Sequence, residues 1–212
     1  MQDFPVFTTQ YGVASLVLRE VPYRQEAYIT VQSALQPEEL LKECVSFCRM
    51  VGAEKVFARG HEIVEQYPLY CAIFEMRGAV EVDEEKVAHL WPVTKETVDQ
   101  WRRFLNEKLR SIDNAGTLEA RGEQEVLDRG GAYFVHRNGQ LLGTGWLTGD
   151  ELKLIASAQP GAGEQVFHSL LSVDPPEQLR LEVASTNERA IRFYERMGLV
   201  ITAELRRWYR VH

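Results

Sequence analysis

A mixed α/β fold, a twisted β-sheet flanked by helices, is predicted by stretches in which apolar residues alternate, stretches in which they recur every three or four positions, and glycine turns between the two. The acidic run 80–85, close after Gly78, marks a boundary and predicts a smaller N-terminal α/β domain over residues 1–85 and a larger domain over residues 86–212. The 212 residues suffice for one elaborate or two compact domains. With 45% hydrophobic and 26% charged residues, the chain lies outside the disordered, collagenous and coiled-coil classes.

Period-two alternation from Ala14 to Leu18 and from Ala27 to Val31 predicts two strands with one buried face, joined by a turn at Pro22. Between residues 37 and 51 the apolar positions Leu40, Leu41, Cys44, Val45, Phe47 and Cys48 fall at helical spacing, and Gly52 stops the helix. Residues 55–59 and 69–76 read as strands. In the second domain, residues 88–93 form a strand and Thr94 caps a helix through residue 109. Strands over 132–137 and 140–147 meet at Asn138-Gly139, a tight-hairpin dipeptide, and a second hairpin at Thr148-Gly149-Asp150 leads into 151–157. After the turn 159–163 a helix runs through Val166, Phe167, Leu170 and Leu171. A strand over 178–184, a helix from Asn187 to Gly198 and a strand over 200–210 follow. Residues 26–60 and 151–186 share a strand, Ser-Ala turn, helix, strand order, so the first domain reads either as a degenerate half-copy of the second or as an unrelated unit of the same type.

The net charge of -7 disfavours nucleic acid as a partner, because phosphate-backbone binding needs clustered Lys and Arg. It tilts the choice of ligand towards cations. Three cysteines imply no disulfide framework. No basic leader and no apolar run of about 20 residues is evident, so a cytoplasmic, non-membrane protein is expected. Cys44 and Cys48 lie one helical turn apart without a completing pair or His cluster, and the five histidines show no metal spacing; core packing and no metal are the expectation. His168 is expected to be a partly exposed structural histidine.

The turn Gln159-Pro160-Gly161-Ala162-Gly163, between a strand ending at Ser157 and a helix, gathers unpaired backbone N–H groups at the positive end of the helix dipole, which suits a pyrophosphate or is an ordinary turn. It fits neither the Rossmann nor the P-loop spacing. On the next strand Leu181 and Val183 point one way and Glu182 the other, and Tyr194 lies on the following helix. A carboxylate and a phenol there serve a proton acceptor and donor facing one cleft, or are a solvated Glu and a core Tyr.

Together these elements resemble the GNAT superfamily of N-acetyltransferases over roughly residues 86–212. Gly161 and Gly163 match the family's Gln/Arg-x-x-Gly-x-Gly/Ala turn, and Asn187, Ala190, Phe193, Tyr194 and Gly198 match its second motif. The resemblance implies a GNAT-like mixed sheet and acetyl transfer from acetyl-coenzyme A to a primary amine by direct attack. By the same resemblance Leu154, Ile155, Ala156 and Ser157 pair with the pantetheine arm. The turn residues Gln159, Gly161, Ala162, Gly163, Glu164 and Gln165 hold the pyrophosphate, Asn187 contacts the arm, and Tyr194 protonates the departing thiolate. The spacing from Glu182 to Tyr194 is similar to the branch that acetylates protein N-termini, where the Glu acts as base through water. Ala158 stands where the family has Gln or Arg, Pro160 lacks an N–H, and Leu199 replaces a Phe. The acceptor is a small amine, aminoglycoside, polyamine, lysine or protein N-terminus. A rival reading is a catalytically weak or inactive GNAT-fold module that binds coenzyme A or a protein partner. Arg206, Arg207, Trp208 and Tyr209, with Trp146 opposite, line an acceptor pocket or form a solvated edge with aromatic packing.

Overall fold

A computed structural model of the protein describes residues 3–212. In chain order the elements are β1 (Phe4–Thr9), β2 (Gly12–Val17), the one-turn α1 (Val21–Arg24), β3 (Glu26–Ala34), α2 (Pro37–Met50), β4 (Lys55–Arg59), β5 (Leu69–Gly78), β6 (His89–Pro92), α3 (Val98–Leu109), α4 (Glu123–Arg129), β7 (Ala132–Arg137), β8 (Gln140–Thr148), β9 (Glu151–Ser157), α5 (Gly163–Leu171), β10 (Leu179–Ala184), α6 (Glu188–Arg196) and β11 (Val200–Arg210). The expected mixed sheet is present: β3 with β4 and β9 with β10 are parallel, and β1/β2, β2/β3, β6/β7, β7/β8, β8/β9 and β11/β4 are antiparallel. No helix among the described residues is long and apolar enough to cross a membrane.

The chain divides into two compact units, and the division is not a single cut. The first comprises residues 3–73 with Ala184–Thr186 and Glu204–His212; the second comprises Phe74–Val183 with Asn187–Ala203, so residues 74–85 lie in the second unit. Strand order in the first is β1-β2-β3-β4-β11-β5, and in the second β11-β5-β10-β9-β8-β7-β6, with β5 and β11 each running through both.

In the first unit α2 starts with Pro37 at its first turn, where the missing N–H costs nothing. Its stripe Leu40, Leu41, Cys44 and Cys48 is fully buried against Ala14, Leu16, Ile29, Val56, Ala58 and Tyr209. The opposite face of these strands carries Tyr28, Phe57, Trp208, Cys71, Ile73 and Ala184, a cluster to which no helix contributes. Trp208 and Tyr209 therefore face opposite sides of β11, so the two do not line one pocket. Burial pushes the Cys44 and Cys48 thiols up to about 12, consistent with core packing.

In the second unit the β7–β8–β9 meander is covered on both faces. One face takes α3, with Trp101 and Leu105 against Phe134, Trp146 and Ala156. The other takes α5, with Val166, Phe167, Leu170 and Leu171 against Val135, Leu147, Leu152, Leu181 and Val183. Close approach of α5 and of the β9 backbone accounts for two glycines inside β8: a Cβ at Gly143 would overlap the Ala156 carbonyl and Val166, and one at Gly145 would overlap Leu170 and the Leu154 carbonyl. The helix expected from Thr94 begins one turn later, with Thr97 in the cap position. The Thr94 hydroxyl donates to Glu96 at 2.6 Å, and its carbonyl accepts from Val98 N–H at 2.9 Å.

Candidate active site

β9 and β10 share a single register pair, Glu151 with Arg180. The junction is clamped there: Arg180 N–H donates to the Asp150 carbonyl at 2.8 Å, and its guanidinium holds Asp150 at 3.3 Å and Glu151 at 2.7 Å. Beyond that pair the strands part. The cause lies on the other edge of β9, where Trp146 pairs with Leu154 and Leu147 with Leu152, so Lys153 is an extra residue. Such a bulge bends and over-twists its strand, and this one sits two residues past the last contact with β10. The backbone edge of residues 154–157 that faces β10 is left outside any ladder, while their other edge pairs with Trp146, Gly145, Thr144 and Gly143.

At the end of β9 the chain turns into α5. Ala158 N–H donates to the Leu142 carbonyl at 2.7 Å and is thereby spent, and Ala162 N–H donates to the Gln159 carbonyl at 3.3 Å. Gly161 takes a backbone φ of +83°. The first helical bond of α5 runs from Val166 N–H to the Ala162 carbonyl, and Ala162 caps with no side chain. The N–H groups of Gly161, Gly163, Glu164 and Gln165 thus converge at the start of a nine-residue helix without partners among the described residues. Glu164 adds a carboxylate, and Lys86 answers it with an ammonium 2.8 Å away; the same lysine reaches Asp83 at 3.3 Å. Lys86 holds the Glu164 carboxyl below the usual carboxylate range.

Asn187 caps α6, its Oδ1 accepting from Ala190 N–H at 3.2 Å. Tyr194 on that helix is 8% exposed and packs on Phe167 and Phe193 in the core that holds Leu181 and Val183. Burial alone raises its phenol far above the usual range. Glu182 alternates to the opposite face of β10 and is exposed. The β9 edge, the turn, Asn187 and Tyr194 thus lie on β9, α5 and α6, which share one core, and Glu182 lies on the other side of its strand from that core.

Sequence reasoning missed Lys86, which lies in a polar segment far along the chain from Glu164, and the Lys153 bulge, which only strand register reveals. His168, expected to be partly exposed, is 6% exposed; its Nδ1 accepts from Asp83 N–H at 3.2 Å, and burial lowers its pKa. Trp146 is also buried, with its Nε1 donating to the Gly130 carbonyl at 2.9 Å. No group of three metal-ligating side chains occurs among the described residues.

A meander, a bulged and diverging parallel strand pair, and a helix whose start is open to an anion define the GCN5-related N-acetyltransferase, or GNAT, fold. Solved structures agree on the fold at low identity. A GCN5-related N-acetyltransferase from Anabaena variabilis superposes with a TM-score of 0.61 at 10% identity, covering 95% of this chain and 60% of that one. A functionally unknown conserved protein from Staphylococcus epidermidis gives 0.57 at 9% identity, covering 96% and 91%. A GCN5-related N-acetyltransferase from Kribbella flavida gives 0.53 at 12%, covering 98% and 90%. No protein-family model and no curated protein matches the sequence.

Proposed function

We propose that the chain is an acetyl-coenzyme A-dependent N-acetyltransferase acting on a primary amine. The observation that carries this reading is the parting of β9 from β10 after Glu151 and Arg180. An exposed strand edge inside a sheet is costly unless something pairs with it, and the amide-bearing pantetheine arm is a ligand that pairs as a strand does. The open N–H groups of Gly161, Gly163, Glu164 and Gln165 suit its pyrophosphate.

In the reaction the amine nitrogen bonds to the acetyl carbonyl carbon, the carbon–sulfur bond breaks, and coenzyme A leaves with a proton on sulfur. A backbone N–H of the β9 edge polarises the carbonyl oxygen as charge develops. The amine, protonated at neutral pH, must first lose a proton. Glu182 fills that role only through water, because it stands on the far face of β10 from Tyr194. Tyr194, its phenol raised by burial, stays protonated at neutral pH and acts as hydrogen-bond donor to the departing sulfur, not as a base. Positioning and exclusion of water supply the rest of the acceleration.

A second reading, a coenzyme A-binding module without turnover, draws on the turn: Pro160 has no N–H, and Ala158 brings no side-chain donor and has spent its own N–H on Leu142. Calorimetric titration with acetyl-coenzyme A followed by an amine panel separates the two. Binding with turnover supports the transferase; binding without turnover on any amine supports the module. No binding at sub-millimolar ligand would sink both.

A further inference from the structure

We propose that Arg59 and Trp208 form a binding site for an oxyanion, the carboxylate or phosphate group of a small ligand, on the face of the first unit that α2 does not cover. The two side chains are cross-strand neighbours. Thr30 pairs with Arg59, and the pairing of Tyr209 with Ala58 sets Trp208 beside Arg59, so Thr30, Arg59 and Trp208 form one row across β3, β4 and β11.

Each member is held in place. Arg59 Nε donates to Thr30 Oγ1 at 3.1 Å, and its Cζ lies 5.1 Å from the centre of the Trp208 ring. Trp208 is fixed in turn by the edge of Tyr28 at 5.1 Å, and Tyr28 packs on Phe57, which stacks on Tyr70. A guanidinium carries five N–H donors, and Arg59 uses one. No carboxylate pairs with it among the described residues. The buried acid on β3, Glu26, is engaged elsewhere, accepting from Arg24 at 3.1 Å, Tyr28 at 2.9 Å and Lys55 at 3.4 Å. Burial and the positive charge of Arg206 both work against Arg59's own charge, which an anion would relieve.

Trp208 adds an independent observation. The residue is 7% exposed, and its Nε1 is shut off from solvent with no acceptor among the described residues. A buried N–H without a partner is rare in native proteins and calls for an unseen acceptor. One oxyanion meets both needs, because two of its oxygens take the guanidinium fork and an oxygen takes the indole N–H. Chloride, a single round acceptor, does not match the two-point geometry of the guanidinium fork.

The test follows the indole N–H resonances of the intact protein by ¹⁵N-correlated NMR during titration with succinate and, separately, inorganic phosphate, against chloride at matched ionic strength. Of the four tryptophans, Trp208 is the signal missing from Trp208→Phe. Its saturable downfield shift with either oxyanion and not with chloride is the expected result; the arm that responds more tightly tells a carboxylate from a phosphate ligand. Arg59→Met, which keeps the stem over the ring, should weaken that response about tenfold or more. An unmoved Trp208 resonance in the wild-type protein overturns the site, as does an equal response in Arg59→Met. The first outcome needs no variant to fold beyond the Trp208→Phe assignment, and Trp208→Tyr serves for that if the Phe form fails.

Discussion

The two strand–helix–strand units of this chain, β3–α2–β4 and β9–α5–β10, are built alike and differ in one respect that separates a core from a site. In the first, the parallel strands are zipped through five consecutive pairs, from Glu26 with Lys55 to Thr30 with Arg59. In the second they touch at one pair. The helix starts differ in the same sense. α2 opens with Pro37, Glu38 and Glu39, one donor fewer and two carboxylates in the first turn, and repels an anion. α5 opens with Gly163 and free N–H groups, and its one carboxylate is neutralised by Lys86. A single extra residue, Lys153, and a change of turn composition thus convert a closed supersecondary unit into an open one. The likeness of residues 26–60 and 151–186 extends to the order of elements and not to the open strand edge or the helix start.

If the open unit alone carries chemistry, the largest effect belongs to Tyr194→Phe. The ring still fills its place against Phe167, so the fold and acetyl-coenzyme A affinity stay near wild type. Turnover on whichever amine is found falls by about 10²-fold, within the range for losing a positioned proton donor. Unchanged kcat would place the sulfur's proton elsewhere and remove Tyr194 from the mechanism.

Next in size is the seating of α5. Gly145→Ala puts a Cβ into Leu170 and 2.8 Å from the Leu154 carbonyl oxygen, and overpacking of this kind costs about 1–3 kcal/mol. Urea denaturation should show that loss, with a parallel loss of cofactor binding because the helix start is displaced. α2 makes one such approach, at the first residue of β2, where a Cβ on Gly12 would lie 2.9 Å from Leu40; farther along the strands it covers, alanines such as Ala14 already carry a Cβ. A neutral Gly145→Ala would mean that α5 rides higher on the sheet than the structure places it.

The contrast between the units also divides what a reader of the sequence can see from what stays hidden. Periodicity exposes α2, because Leu40, Leu41, Cys44 and Cys48 lie on one fully buried stripe, and Asn138-Gly139 announces its hairpin, with Asn138 at a φ of 53°. It fails for β1, which is exposed or half-buried along its whole length and so shows no alternation, and for α4, where Val126 alone is buried. The Gly161 and Gly163 turn and the Asn187 to Gly198 run are legible because they are local. The bulge at Lys153, the pairing of Lys86 with Glu164 and the bond from Asp83 to His168 arise between segments distant in sequence, and no window along the chain contains both partners. The same holds for Arg59 and Trp208.

His168 provides a smaller effect that again distinguishes the units. Burial, the largest cause, and Lys86 lower its pKa, while Asp83 and Glu164 oppose them. With the folded value below the unfolded one of about 6.5, the contribution is full above that pH and is lost as pH falls through the folded value. Protonation also turns Nδ1 from acceptor to donor and breaks the bond to Asp83 N–H. Denaturation at about pH 7.5 and pH 5.5 should show a loss for the wild-type protein that His168→Asn, whose carbonyl can still accept from Asp83, reduces. The free cysteines Cys44, Cys48 and Cys71 all lie in the first unit. Thiol labelling should therefore lag behind the loss of second-unit signals at the lower pH, and simultaneous labelling would show that the units open together.

The smallest predicted effect sharpens the comparison of helix starts. Lys86 and Glu164 are both more than a third exposed, at 39% and 37% of their side chains, so Lys86→Met should leave the thermal midpoint unmoved, as most surface pairs do. Its consequence is electrostatic and local. Without the ammonium, Glu164 stands as an uncompensated carboxylate in the first turn of α5, which is the condition of Glu38 and Glu39 at the start of α2. Affinity for coenzyme A should then fall about two- to fivefold, and the double variant with Glu164→Gln should recover it, since a neutral side chain at that position no longer needs an answering cation. The fall should shrink as salt is raised, because the charges are screened. A Lys86→Met protein that binds as tightly as wild type at low salt would mean that the anion sits beyond the reach of Glu164, nearer to Gly161 than to the first helical turn.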